Sequence, residues 1–269
     1  MDAFFLPGSS GQRFCLFHPA QGATTRGLVA YVHPFAEEMN KSRRMAALQA
    51  QTLAAAGYAV LQLDLRGCGD SSDDFGDASW QDWVDDVVLA CQWLRRQNDA
   101  SLWLWGLRAG CLLAAQAAQQ LDGPCNFLFW APTPAGKPLL QQFMRLKAAG
   151  DMADGNAKAA MEALRQQLAS GSAVEIAGYT VSAALASGLE QATLTPPPTV
   201  GRLEWLDLST KPDATLPPAA AKPLQAWQSA GFVVRSQVAM GPAFWQTSEI
   251  EEAPALLSAT LAALSAPAP

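Results

Sequence analysis

The sequence predicts an α/β protein built on a mostly parallel sheet of about eight strands, with helices on both faces and a helical insertion late in the chain. Three observations lead there. Short β-like apolar runs alternate with stretches of helical apolar spacing through the first two thirds, the pattern of parallel strands joined by covering helices. The strand rhythm then stops between Pro132 and about Pro198, where helical runs take over. It resumes afterwards, so the interruption reads as a lid-like insertion, 135–198, rather than as a second domain. With 269 residues, half of them apolar, the chain can bury one full core, and a single domain over 1–269 is expected.

In chain order, residues 3–6 and 13–18 read as an antiparallel hairpin around Gly8-Ser9-Ser10-Gly11. Residues 28–32 follow as a buried strand, 42–55 as a helix ending at Gly57, and 59–65 as the next strand. The apolar spacing of 80–97 gives a helix, 102–105 a strand, 111–121 a helix and 126–130 a strand. The insertion carries helical runs at 139–149, 157–169 and near 182–191, a Val174-to-Tyr179 stretch, and the breaker Pro196-Pro197-Pro198. Strand 203–208, helix 219–230, strand 232–239 and helix 253–264 close the chain, and the Ala/Pro tail is expected to fray.

Composition narrows the partners. The formal charge is -6, and no basic cluster is longer than Lys41-Ser42-Arg43-Arg44, which argues against nucleic acid or an anionic membrane surface. No window has the run of about 18 apolar residues that spans a bilayer. The first residues have neither a basic start nor a long apolar stretch, so no secretory signal is expected. The five cysteines, Cys15, Cys68, Cys91, Cys111 and Cys125, are odd in number and scattered, as reduced thiols in a cytoplasmic protein are. No metal-ligand spacing, P-loop or GxGxxG after a strand is present, and Gly67-Cys68-Gly69 is too short to count, so no cofactor is implied.

Gly106-Leu107-Arg108-Ala109-Gly110 lies between an apolar strand and an apolar helix. It resembles the GxSxG nucleophile elbow of the α/β-hydrolase fold, with arginine where the serine belongs. Two further segments strengthen the resemblance. Asp64-Leu65-Arg66-Gly67-Cys68-Gly69-Asp70-Ser71 is similar to that fold's D-x-R-G-x-G-x-S segment, and Val32-His33-Pro34-Phe35 sits where its oxyanion loop runs. The likeness places Ala36 in the same loop and Asp207 as the loosest candidate for the acid, and it implies a nucleophile, acid, histidine order.

That order fails here. A guanidinium stays protonated and only donates, so Arg108 cannot attack a carbonyl. Both histidines, His18 and His33, precede the elbow, and the loop Gly241-Pro242-Ala243-Phe244-Trp245 offers no base. Ser-His-Asp catalysis is not expected.

A helix start already favours an anion. Arg108 would make the cleft a clamp for a carboxylate, phosphate or acyl ligand, with the amides of Phe35 and Ala109 as donors. Against this stands an internal pairing of Arg108 with Glu37, Glu38 or Asp207, which would plug the site, because a cation in a low-dielectric cleft needs a partner. His33 reads as a structural hydrogen-bonder more than as a ligand group, and His18 as structural. Cys111, one turn from Arg108 and without a histidine nearby, is a weak alternative nucleophile. The acids Asp70, Asp73, Asp74, Asp77, Asp82, Asp85 and Asp86 do not match an EF-hand and read as a solvated loop with helix caps. Trp80, Trp83 and Trp93 read as core, and Phe244 and Trp245 as pocket walls.

The segments HPFAEEMNKSRRM, GLRAG, VEIAGY and FWQTSEIEEAPAL together resemble the exosortase A system-associated hydrolase 2 family across nearly the whole chain. The resemblance implies a bacterial cytoplasmic protein from exopolysaccharide and PEP-CTERM sorting loci. Three functions remain open: a pseudoenzyme binding a ligand or sorting-system protein through the lidded cleft; an active hydrolase or acyltransferase on esters or thioesters, using Cys111 or a water held by Arg108 and Glu37 or Glu38; and a scaffold whose lid helices contact a sorting or polymerisation enzyme.

Overall fold

The computed structural model describes residues 1–150 and 157–266. Residues 151–156 of the predicted insertion and the last residues of the Ala/Pro tail, 267–269, lie outside the described residues.

The hairpin is β1 (Asp2–Pro7) and β2 (Gln12–His18), paired antiparallel. β3 (Gly27–Val32) is buried along its whole length, as a central parallel strand must be. Helix α1 covers Glu37–Ala55, five residues earlier than its apolar spacing predicts. The extra turn carries Glu37 and Glu38, which are favoured at a helix N-terminus, where the peptide dipoles leave positive charge. Strand β4 (Tyr58–Leu63) stops short of the predicted Leu65. Asp64 begins the next loop, and a buried Tyr58 heads the strand instead.

Helix α2 (Trp80–Gln97) starts on Ser79, whose hydroxyl accepts from the Asp82 amide while Asp82 returns a bond to the Ser79 amide, a reciprocal cap. Strand β5 (Leu102–Leu107), helix α3 (Ala109–Ala117) and strand β6 (Asn126–Trp130) follow. After β6 come α4 (Gly136–Gly150), α5 (Ala157–Ala169), a small antiparallel hairpin of β7 (Val174–Ile176) and β8 (Tyr179–Val181), and α6 (Ala183–Gln191). The chain returns through β9 (Arg202–Ser209), α7 (Ala221–Ser229), β10 (Val233–Met240) and α8 (Pro254–Ser265).

The eight-stranded sheet has the order β1-β2-β4-β3-β5-β6-β9-β10. Every pairing from β4 to β10 is parallel, and only β1–β2 and β2–β4 run antiparallel. Two apolar layers flank it. Leu102 and Leu104 of β5 join a core with α2, α3 and the inserted helices, whereas Trp103, Trp105 and Leu107 join a second core with α1 and α8. The strict alternation along β5 is the period of two that puts consecutive side chains on opposite faces. No helix among the described residues is long and apolar enough to cross a membrane.

Because β3, β5, β6, β9 and β10 are parallel, the loops leaving all five converge at one sheet edge, the end where open α/β sheets place their ligands.

Candidate functional site

The turn from β5 into α3 is a sharp elbow. Arg108 sits at its apex with φ 54° and ψ −115°, a positive-φ conformation rare for a side-chain-bearing residue. The flanking glycines are what allow it: a Cβ on Gly106 would lie 2.6 Å from the Cys111 backbone, and one on Gly110 would lie 2.1 Å from the Val32 carbonyl oxygen. Ala36 repeats the strained geometry at the start of α1, with φ 49° and ψ −126°. Two helix N-termini therefore face the same cleft, with Ala109 opening α3 and Phe35 leading into α1.

The Arg108 side chain is 14% exposed and held from four directions. Its Nε donates to Glu38 Oε1 at 3.4 Å, Nη1 to Thr133 Oγ1 at 3.3 Å, and Nη2 to Gln142 Oε1 at 3.3 Å. The Trp245 ring lies under the guanidinium, 5.5 Å from centroid to Cζ, within cation–π range. Of the three candidate acids, Glu38 is the one in contact. Asp207 stays on β9, where its Oδ1 accepts the Leu208 amide; burial raises its pKa and the more distant Arg108 charge lowers it. Glu37 lines the same cavity without pairing with Arg108, its Oε2 buried without a partner and its pKa raised by burial.

Glu38 is the most perturbed of the three. Burial pushes its carboxyl up to about 7, and the opposing pull of Arg108 does not restore an ordinary value. Its Oε2 has no partner at hydrogen-bonding distance, although the Gln246 side chain lies close enough to ease the charge. What remains of the cleft is a cavity of about 20 Å³ between Glu37, Glu38, Gln142 and the rings of Phe35 and Phe143, room for a single water. Phe143 of α4 packs edge-on against Phe35 at 5.1 Å, so the insertion closes directly onto the loop after β3.

His33 is committed to the fold. Its Nδ1 lies 2.8 Å from the Pro34 carbonyl oxygen, which can only accept, and its Nε2 takes the Leu65 amide at 3.3 Å. Burial lowers its pKa, keeping the ring neutral. Cys111 is fully buried beneath the elbow with Sγ 3.8 Å from the Trp130 carbonyl oxygen, and burial drives its thiol well above the ordinary range. Neither its access nor its raised thiol favours a nucleophilic role. Thr133, Gln142 and Gln246 were not singled out by sequence, and nothing local marks them.

The sequence profile of the serine aminopeptidase S33 family matches residues 23–167. The chain belongs to that family. The match, residues 23–167, includes the elbow with Arg108 at its apex and the start of the insertion. No curated protein matches the sequence. Solved structures do match in shape. Est1E from Butyrivibrio proteoclasticus with ferulic acid bound is 15% identical, with 96% of each chain covered and a TM-score of 0.67. A soluble variant of monoglyceride lipase from Saccharomyces cerevisiae, in complex with a substrate analogue, is 13% identical, with 98% of this chain and 94% of that one covered and a TM-score of 0.61. XC6422 from Xanthomonas campestris, described as a serine hydrolase without lid, is 16% identical, covers 96% and 91%, and has a TM-score of 0.57. At these identities the likeness shows the fold, and the S33 chain has the α/β-hydrolase fold.

Proposed function

We propose that this chain is a catalytically degenerate α/β-hydrolase that works by binding, with Arg108 as the recognition group beneath a lid formed by residues 135–198. The observation that carries the reading is the Arg108–Glu38 contact closed over by Gln142, in a cleft with no more than a water's volume left. A hydrolase needs a nucleophile and room for its ester at the elbow; this site has a cation and a plug. The bound species is a small carboxylate, phosphate or acyl-bearing anion that takes Glu38's place on Arg108. Glu38 favours the exchange because its raised pKa lets it accept a proton and release the guanidinium. The amides of Phe35, Ala36 and Ala109 at the two helix starts and the carboxyl of Glu37 define the remaining walls. The resemblance to exosortase-associated proteins favours a role in exopolysaccharide or PEP-CTERM sorting in the cytoplasm, with a sorting-system protein as a partner reached through the lid.

The test is a melting-temperature screen of the purified protein against short fatty acids, sugar acids and phosphate, run beside Arg108→Ala. A shift in the parent that vanishes in the variant supports the reading, and no shift with any anion overturns it.

One observation favours a second reading, an active hydrolase: a buried carboxylate titrating near 7 beside a water-sized cavity is what a general base requires. Hydrolysis across an ester and thioester panel that Glu38→Gln abolishes would establish it in place of the first.

A further inference from the structure

A second chamber lies away from the elbow, between α1 and the strands β2, β3 and β4. Its volume is about 180 Å³, smaller than the roughly 300 Å³ at which drug-sized pockets begin. One wall is a helical stripe, Met39, Arg43, Ala46 and Ala47, and the opposite wall is Phe14 and Leu16 of β2 with Tyr31 of β3. Most of this lining is apolar, so the chamber suits a compact apolar body.

The polar groups are few, and besides the Tyr31 hydroxyl and the Gln62 amide, two of them carry charge with bonding capacity to spare. His33 and the Gln62 carbonyl are spent, the first on Pro34 and Leu65 and the second on His18 at 3.1 Å. Arg43 and Asp64 sit side by side, Nη2 to Oδ2 at 3.2 Å. Asp64 Oδ2 also takes the Asp70 amide at 3.1 Å, while its Oδ1 has no protein donor among the described residues. Arg43 uses only Nη2, on Asp64 and the Met39 sulfur, of the five N–H donors a guanidinium carries. The pair also depends on an absent side chain. A Cβ on Gly69 would stand 1.9 Å from Asp64 Oδ2 and 2.5 Å from Arg43 Nη2, so glycine at 69 keeps the space in which the two meet.

An adjacent cation and anion over an apolar chamber complement a ligand with the same two charges on one carbon and an apolar substituent. We propose that this chamber binds a free apolar α-amino acid of about leucine's size, its carboxylate on Arg43, its ammonium on Asp64 and its side chain between Phe14, Leu16 and Tyr31. A peptide terminus carries only one of the two charges at that carbon and fits less well. The site shares no side chain with Arg108 and does not depend on the function proposed for the elbow.

The experiment is calorimetric titration of the purified protein with L-leucine, 4-methylpentanoate and isoamylamine, the last two being leucine without its ammonium and without its carboxylate. Leucine binds, and each analogue binds roughly tenfold or more weakly, because each forfeits one charge-assisted contact. Arg43→Ala, at a half-exposed helix position, and Ala47→Leu, which fills the chamber and leaves the charges intact, both abolish leucine binding with melting temperatures near that of the parent. Equal binding of all three ligands would reduce the chamber to an apolar void and overturn the proposal. So would an absence of leucine binding by the folded parent protein.

Discussion

Arg108 and Glu38 meet across the cleft from the first turns of two helices, Nε to Oε1 at 3.4 Å, although seventy residues separate them in the chain. The contact resolves an electrostatic conflict. A cation at the apex of the elbow stands at the positive end of the α3 dipole, with a ring below it and 14% of its side chain exposed, and it needs a nearby negative charge. Glu38 supplies the partner, a carboxyl whose burial holds its proton up to about pH 7, and the balance of the two can be measured.

Stability should fall as pH rises through the Glu38 window. The folded state holds the Glu38 proton up to about pH 7, whereas the unfolded chain releases it near the ordinary 4.5. Between those values the native state binds more protons than the unfolded state, so the contribution is present below about 4.5 and lost by about 7. At ~1.4 kcal/mol per pH unit it amounts to about 3 kcal/mol. Glu38→Gln removes the titration. Urea melts near pH 4.5 and pH 7.5 should show the parent losing about 3 kcal/mol relative to the variant. Parallel curves would mean that Glu38 is ionised throughout.

Arg108→Ser rebuilds a GxSxG elbow without rebuilding an enzyme. Neither His18 nor His33 follows the elbow in sequence, and His33 has both nitrogens engaged elsewhere. Hydrolysis of p-nitrophenyl butyrate by the variant should stay at the parent's background. A large gain would show that a base other than histidine serves the position.

Gly110→Ala tests the elbow geometry itself. The added methyl meets the Val32 carbonyl oxygen at 2.1 Å, and backbone cannot step aside as a flexible side chain can. A loss of roughly 3 kcal/mol or more, or failure to fold, is expected by chemical denaturation.

The hairpin depends on a buried ion pair. Arg13, fully buried, donates from Nε to Asp86 Oδ1 at 2.6 Å, and Asp86 Oδ2 takes the Arg66 amide. Burial raises Asp86 to about 6 despite the partner. Asp86→Ala strands the Arg13 charge and should cost roughly 3–5 kcal/mol. Asp85→Ala, one position away and exposed, should stay within about 0.5 kcal/mol. Thermal melts of the two variants separate these outcomes.

All five cysteines are free and buried, and burial raises every thiol, Cys125 to about 11 and Cys15 to about 12. Native protein should therefore leave Ellman's reagent nearly unreacted at neutral pH, and all five thiols should titrate after unfolding in guanidinium.

The fold and the elbow were legible in residue order because they are written in local chemistry. Apolar periodicity separates strand from helix, and a glycine two residues either side of Arg108 marks a turn only glycine allows. The arginine at position 108 and the two histidines that precede it are matters of identity and order, needing no coordinates. Reading the acidic run as caps and loop held for Asp82 on Ser79 and failed for Asp86, whose burial depends on where β2 crosses α2. The partner of Arg108 was out of reach for the same reason. Glu37, Glu38 and Asp207 are chemically equivalent as sequence, and only the convergence of loops at one sheet edge selects Glu38. Thr133, Gln142 and Trp245 then close around it from separate segments. Periodicity and turn chemistry act over a few residues. Burial, charge pairing and cavity volume are sums over elements far apart in the chain, and they exist only once the sheet has brought those elements together.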